Sequence, residues 1–298
     1  MYFVLISMKQ SFRLLGAVAL TATLLVPSLV AQLVVPQPSP SSTLKQRVSI
    51  TDVTVEYSRP SLKGRTAFGD LVPYGKLWRT AANQPTKITF SNDVTIGGTR
   101  LTAGTYTLFS IPDKKEWTVI FNKNSALRQW TDYKQEEDAV RVKVKSSSLP
   151  SKVETFAIDI TEIELHQAHL EIAWEKTSVK VPIQFNDKEK IVADAKEKAT
   201  AAGSEADATK SANTYFQAAS YFYEAGLDAA QALEWVNASI AKRNEAFWVH
   251  HLKAKILVRL KKNAEALTSA TLSIEQAEKA KNDDYVALNK KLIAGLKK

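Results

Sequence analysis

Arg59, Lys63, Arg65, Lys76 and Arg79 fall within one stretch, YSRPSLKGRTAFGDLVPYGKLWRTAAN (residues 57–83), against a single acid, Asp70. Arginine presents a planar fork of donors suited to carboxylate or phosphate, and lysine adds a mobile point charge. Tyr74 and Trp78 could stack on a sugar or other ring, and Asn83 supplies both a donor and an acceptor. The stretch is therefore a candidate pocket for an anionic or carbohydrate-like ligand, with Arg59, Arg65 and Arg79 converging. The competing reading is structural: the arginines bond loop carbonyls and neighbouring acids while Trp78 and Tyr74 fill the edge of a β-sheet.

Other chemistry-bearing residues are sparser. In LRQWTDYKQEEDAVR, Trp130 and Tyr133 sit in a polar connection, and we expect them to cover the end of a sheet rather than line the pocket. His166 and His169 follow Glu162 and Glu164, but a strand would send the two imidazoles to opposite faces, so no metal is expected. His250 and His251 are adjacent on a helical pattern and read as surface residues. No nucleophile elbow, zinc-protease motif or phosphate-binding loop occurs, and no cofactor is implied. Glu56, Asp70, Glu116 or Asp138 would have to pair for glycoside hydrolysis, and nothing in the spacing joins any two. Cysteine is absent, which removes disulfides, thiolate catalysis, cysteine zinc sites and a lipoprotein anchor together.

The elements that must position these residues fall into distinct segments. The 298 residues suffice for two modest domains. From Met8, MKQSFRLLGAVALTATLLVPSLVAQ has the basic, apolar and small-residue order of a secretory signal, with cleavage expected between Ala31 and Gln32. Export to the periplasm or beyond follows; an uncleaved membrane anchor is the alternative. A Pro/Ser-rich tether over 32–43 precedes the first domain.

Over 44–186 apolar residues alternate in about eight short runs, among them DVTVEYS, TKITF, EWTVIFN, AVRVKVK, ETFAIDI, HLEIAWE and VKVPIQF. Turn signals separate them at Gly97–Gly98, 111–115 and SSSLPS (146–151). The period predicts an all-β antiparallel sandwich, jelly-roll-like in strand number.

Over 187–298 the composition turns to Ala, Glu and Lys at helical spacing. Offsetting this segment by 34 residues superposes Ala230, Ala232, Leu233, Ser239 and Ile240 on Ala264, Ala266, Leu267, Ser273 and Ile274. That period is that of tetratricopeptide-like helical hairpins. Gly226 lies at the turn of the first unit and Leu260 replaces it in the second; helices near 188–201 and 284–296 flank the pair.

The formal charge of +9 is spread as +4 over 32–186 and +3 over 187–298. Residues 57–83 alone carry +4, so the excess of the β half is matched by one short segment. This is no nucleic-acid footprint.

The motifs YSRP, KGR, VPYG, WRTAAN and AGTY, in this order, resemble the bacterial family known as domain of unknown function 2911, over about residues 41–185. Ala81 stands where that family usually has glycine; if the glycine supplies φ > 0 or close backbone approach to a ligand, alanine is not expected to keep the same geometry here. The resemblance implies fold and export but no activity. The expected function is that of an exported, non-catalytic binding or scaffold protein, its β domain holding an envelope ligand and its repeats a protein partner. A purely structural envelope protein and an uncharacterised hydrolase of glycans or other anionic substrates are the alternatives.

Overall fold

Alternation carries the first half of the chain into β-structure. A computed structural model describes residues 35–296, so the N-terminal signal reading, with its cleavage site at Ala31–Gln32, lies outside the described residues. Nine strands follow: β1 Ser41–Val48, β2 Thr51–Ser58, β3 Thr86–Phe90, β4 Val94–Ile96, β5 Thr99–Leu101, β6 Gly104–Ile111, β7 Glu116–Asn122, β8 Asp138–Thr161 and β9 Gln167–Phe185. They pair antiparallel in the order β1-β2-β3-β6-β7-β8-β9-β4-β5. In β2, Val53, Val55 and Tyr57 point inward and are buried, as a period of two requires.

Strand β8 turns the corner of the sheet. Its first part, through Lys145, pairs with β7, and from Ser146 it pairs with β9. The two parts face each other across one core. The Tyr57 hydroxyl of β2 accepts from Ile158 N at 3.1 Å and lies 3.2 Å from Ile158 O, on the far side of that core. Phe90, Trp117, Phe121, Phe156, Leu170 and Ile183 fill the space between.

Three sequence expectations are corrected here. SSSLPS is no turn but the middle of β8, which with β9 replaces four of the expected short strands. The β8–β9 register breaks between Ser148 and Val153, and Pro150 sits in that break, so its missing N–H costs no ladder bond. In β9, Glu175 at φ 56° breaks the run between HLEIAWE and VKVPIQF without ending the strand. The tether is shorter than expected, because Ser41–Thr43 already pair with Glu56–Ser58 of β2.

Six helices complete the chain: α1 Lys188–Ala202, α2 Ala208–Glu224, α3 Ala229–Lys242, α4 Phe247–Arg259, α5 Asn263–Lys279 and α6 Asp283–Leu296. Asp207 and Asp228 cap α2 and α3, each accepting from two backbone amides. Ala229 and Asn263 open α3 and α5 at the 34-residue offset read from the sequence. Ser239 and Ser273 both donate to a carbonyl of the preceding helix, Ala212 O at 2.8 Å and Phe247 O at 2.7 Å. Those two acceptors are one residue further apart than the serines.

The turn explains the difference. Gly226 takes φ 65° after α2, but the equivalent residue after α4 is Lys261, at φ 60°, and not Leu260. In both turns the following amide bonds back to the helix, Leu227 N to Phe222 O and Lys262 N to Leu257 O, each at 2.9 Å. The second connection is one residue shorter, so the positive-φ position shifts by one against the alignment. The aromatics Tyr215, Phe216, Tyr221, Phe222, Trp235 and Trp248 pack into the helical core.

Candidate functional site

Residues 59–85 form a long connection between β2 and β3 that is stitched to both layers. Leu62 N donates to Glu154 O and Phe156 N to Pro60 O, fixing its start to β8. Trp78 and Ser110 of β6 exchange two backbone bonds, at 2.7 and 2.9 Å, fixing its end. Leu62, Ala67, Phe68 and Val72 are buried between these attachments, so the connection inserts apolar residues into the core. The Trp78 ring lies parallel to Trp174 of β9, 6.2 Å between centroids and 11° between planes, with Phe68, Trp117 and Phe156 meeting it edge-on. Its Nε1 donates to Ala81 O at 2.9 Å, which folds the following residues over the indole.

These attachments leave a cleft of about 520 Å³. Arg65, Lys76 and Arg79 line it, as do Trp78, Trp174 and Trp130, and no carboxylate does. The three cations differ in what they already hold. Arg65 donates from Nε to Leu62 O at 2.9 Å and from Nη2 to Ser61 O at 3.0 Å, bracing its own loop. Arg79 is half-buried, and its Nε, shielded from solvent, donates to no partner among the described residues. Lys76 is exposed at the rim.

Residues 39–183, which contain this cleft entirely, match the model of the family described as Protein of unknown function (DUF2911). The β half is a DUF2911 domain. The match agrees within two residues at each end with the range read from the motifs. No curated protein and no solved structure matches the chain significantly.

The departure at residue 81 now has a geometric meaning. Ala81 of this DUF2911 domain takes φ 152°, between Thr80 at φ 52° and Asn83 at φ 58° two residues on. Glycine adopts such angles without a Cβ clash, whereas alanine holds them under strain. The backbone N–H groups of Thr80, Ala81, Ala82 and Asn83 find no backbone acceptor among the described residues. Of this strained loop, Ala81 and Ala82 border the cleft beside Arg79.

The remaining residues singled out in the DUF2911 sequence lie elsewhere. Arg59 Nε donates to Phe156 O at 3.0 Å, and the Lys63 backbone N–H donates to Glu154 at 2.7 Å. Tyr74 packs over Gly69, where a Cβ would come within 2.9 Å of its ring. Asn83 donates to Ser39 O and Ser58 Oγ, facing a separate polar hollow that includes Glu56 and Lys87. Of the eight proposed ligand residues, four line the cleft. Glu56, Asp70, Glu116 and Asp138 do not border it.

Trp130 reverses an expectation: it does not cover the sheet but lines the cleft, 46% exposed. No pattern in the sequence pairs it with Trp174, 44 positions later. Tyr133 does cover the sheet, packing on Phe109. Its hydroxyl donates to Asp138 at 2.6 Å and accepts from Arg141 at 2.8 Å, and burial, followed by Asp138, pushes the phenol up to about 12.

The histidines separate as well. His166 Nδ1 lies 2.8 Å from Asp187 Oδ1, while His169 Nδ1 lies 3.0 Å from Glu162 Oε2, off the line of a hydrogen bond. His250 is not a surface residue, and His251 is only half-buried. His250 is buried and donates from Nε2 to Asn244 O at 2.7 Å; His251 meets Asn289 Oδ1 at 2.8 Å.

Proposed function

We propose that this is an exported, non-catalytic binding protein whose DUF2911 domain takes an anionic or carbohydrate-like ligand in the Arg65–Lys76–Arg79 cleft. The single observation that supports it most is a cleft lined by three cations, Arg65, Lys76 and Arg79, and by no acid among the described residues. An anion arriving among these side chains gains charge-assisted hydrogen bonds with no resident carboxylate to displace. Hydrolysis by a carboxylate base is disfavoured by the absence of any carboxylate from the cleft lining. Export rests on the signal-like N-terminus, and the helical half, read as tetratricopeptide-like, is the part we assign to a protein partner.

The purely structural alternative draws on Arg59 and Arg65, whose guanidinium groups already bond the carbonyls of Phe156, Leu62 and Ser61. Thermal unfolding with acidic sugars, phosphosugars and simple carboxylates separates the two. A ligand at a hundred times its Kd adds about 2.7 kcal/mol to the native state. The binding reading expects a rise in Tm that disappears in Arg79→Met, and an Arg79→Met protein that melts no lower than wild type without ligand. No shift with any anion, together with a lower Tm for Arg79→Met, would make the arginine structural.

A further inference from the structure

The cleft has two chemically distinct parts, and, resting on the anion reading above, we propose that its ligand is a hexuronate-type sugar: a pyranose ring carrying a carboxylate. The carboxylate part is Arg79 with Lys76. A planar guanidinium lining the cleft matches a planar carboxylate, and Lys76 at the rim adds a second positive charge. The ring part is Trp130. It stands on a short 3-10 turn, Trp130–Asp132, with nearly half its surface open, and pairs with no other aromatic ring among the described residues. By contrast Trp174 is almost wholly covered and already stacks on Trp78, so those two form the base of the cleft.

An indole face beside a cationic fork accepts the apolar C–H face of a sugar ring whose acid group reaches the fork. Simple phosphate would satisfy the cations and leave the Trp130 face in water. A flat aromatic acid would cover the indole but bring no hydroxyl oxygens to the Ala81 and Ala82 backbone that lines the cleft and has no backbone acceptor for its amides among the described residues, which a sugar does. The sugar acid is the class that answers all three features.

Isothermal titration calorimetry with D-glucuronate, D-glucose, acetate and inorganic phosphate tests this on wild type, Trp130→Ala, Trp130→Phe and Arg79→Met. Glucuronate is expected to bind at least tenfold more tightly than acetate or glucose. Trp130→Ala should bring glucuronate to the level of acetate while leaving acetate unchanged, Trp130→Phe should restore most of the difference, and Arg79→Met should abolish both acids. If Trp130→Ala leaves glucuronate binding intact, or if glucuronate is no tighter than acetate, the sugar assignment is overturned while the anion cleft stands. If no anion binds the wild-type protein, both fall together.

Discussion

Asp187 stands at the N-cap of α1 yet caps no helix amide, because its carboxylate is turned back to His166, with Oδ1 2.8 Å from Nδ1. The other oxygen accepts from Ile50 N and Thr51 Oγ1, both at 3.3 Å, and Asp187 is only 2% exposed. On the far side of the imidazole, Tyr221 of α2 lies 3.0 Å from Nε2. Burial, then the charges of Asp187 and Glu189, push that phenol up to about 12. The Asp187 carboxylate accepts from the imidazole Nδ1, and the Tyr221 hydroxyl, 3.5 Å from Lys188 O, bridges Nε2 and the first turn of α1. One buried carboxylate thus joins the β1–β2 turn, the β8–β9 turn and the first two helices.

Replacing Asp187 by alanine strands three donors of the β domain, Ile50 N, Thr51 Oγ1 and His166 Nδ1, and we expect a loss of about 2–3 kcal/mol. His166→Ala alone should cost about 1–2 kcal/mol. Because the two groups share one network, the double variant should lose less than the sum, with a coupling of at least 0.5 kcal/mol in denaturant unfolding. Strict additivity would mean that the contact contributes nothing beyond its neighbours.

Ala81→Gly is expected to stabilise the protein, an unusual direction for a glycine substitution. The strain at φ 152° is worth about 1–3 kcal/mol, against about 0.5–1 kcal/mol of added chain entropy in the unfolded state. A rise in Tm of a few degrees should follow. A fall would show that the Cβ of this buried residue supplies more packing than its geometry costs.

The helical half should weaken in mild acid. Burial lowers the affinity of His250 and His251 for protons below that of an ordinary imidazole, and Lys253 and Lys255 add to it. Sequence-unfolded chains bind those protons first, at an ordinary value near 6.5. Stability from these residues is therefore intact above pH 7 and declines as pH falls through that value toward the lower folded ones. The slope is at most about 1.4 kcal/mol per pH unit for each histidine. Urea titrations at pH 7 and pH 5 should show it, and a His250→Asn/His251→Asn variant, though weaker, should have a flatter profile over that window.

How much of this could be read from the residues depends on the range over which each interaction acts. The alternation of Val53, Val55 and Tyr57 and the Ser239–Ser273 offset are local patterns, so both the β class and the helical pairs were legible. Strand β8 was not, because Pro150 and its serines look the same in a turn as in a register break. Arg65 and Arg79 are the same residue type in the same stretch; only the fold shows that one is spent on carbonyls and the other is unpartnered. Trp130 and Trp174 line one cleft only through the tertiary fold, to which no spacing rule applies. An alanine in place of the family glycine put a positive φ at residue 81 in doubt, yet the backbone there keeps φ 152°, because the Trp78 and Thr80 contacts around it outweigh the preference of one residue.

The pairing of β4 with β9 sets an order of events during synthesis. Val94–Ile96 emerge early, but their partners, Ile183–Phe185, follow almost ninety residues later. At ordinary elongation rates the hairpin waits roughly 5–20 s with one edge open. The residues that end that wait lie immediately before Asp187. The chain therefore completes its strand order and acquires the anchor for its first helix within the same few residues of growth, and any chain released short of them would have neither.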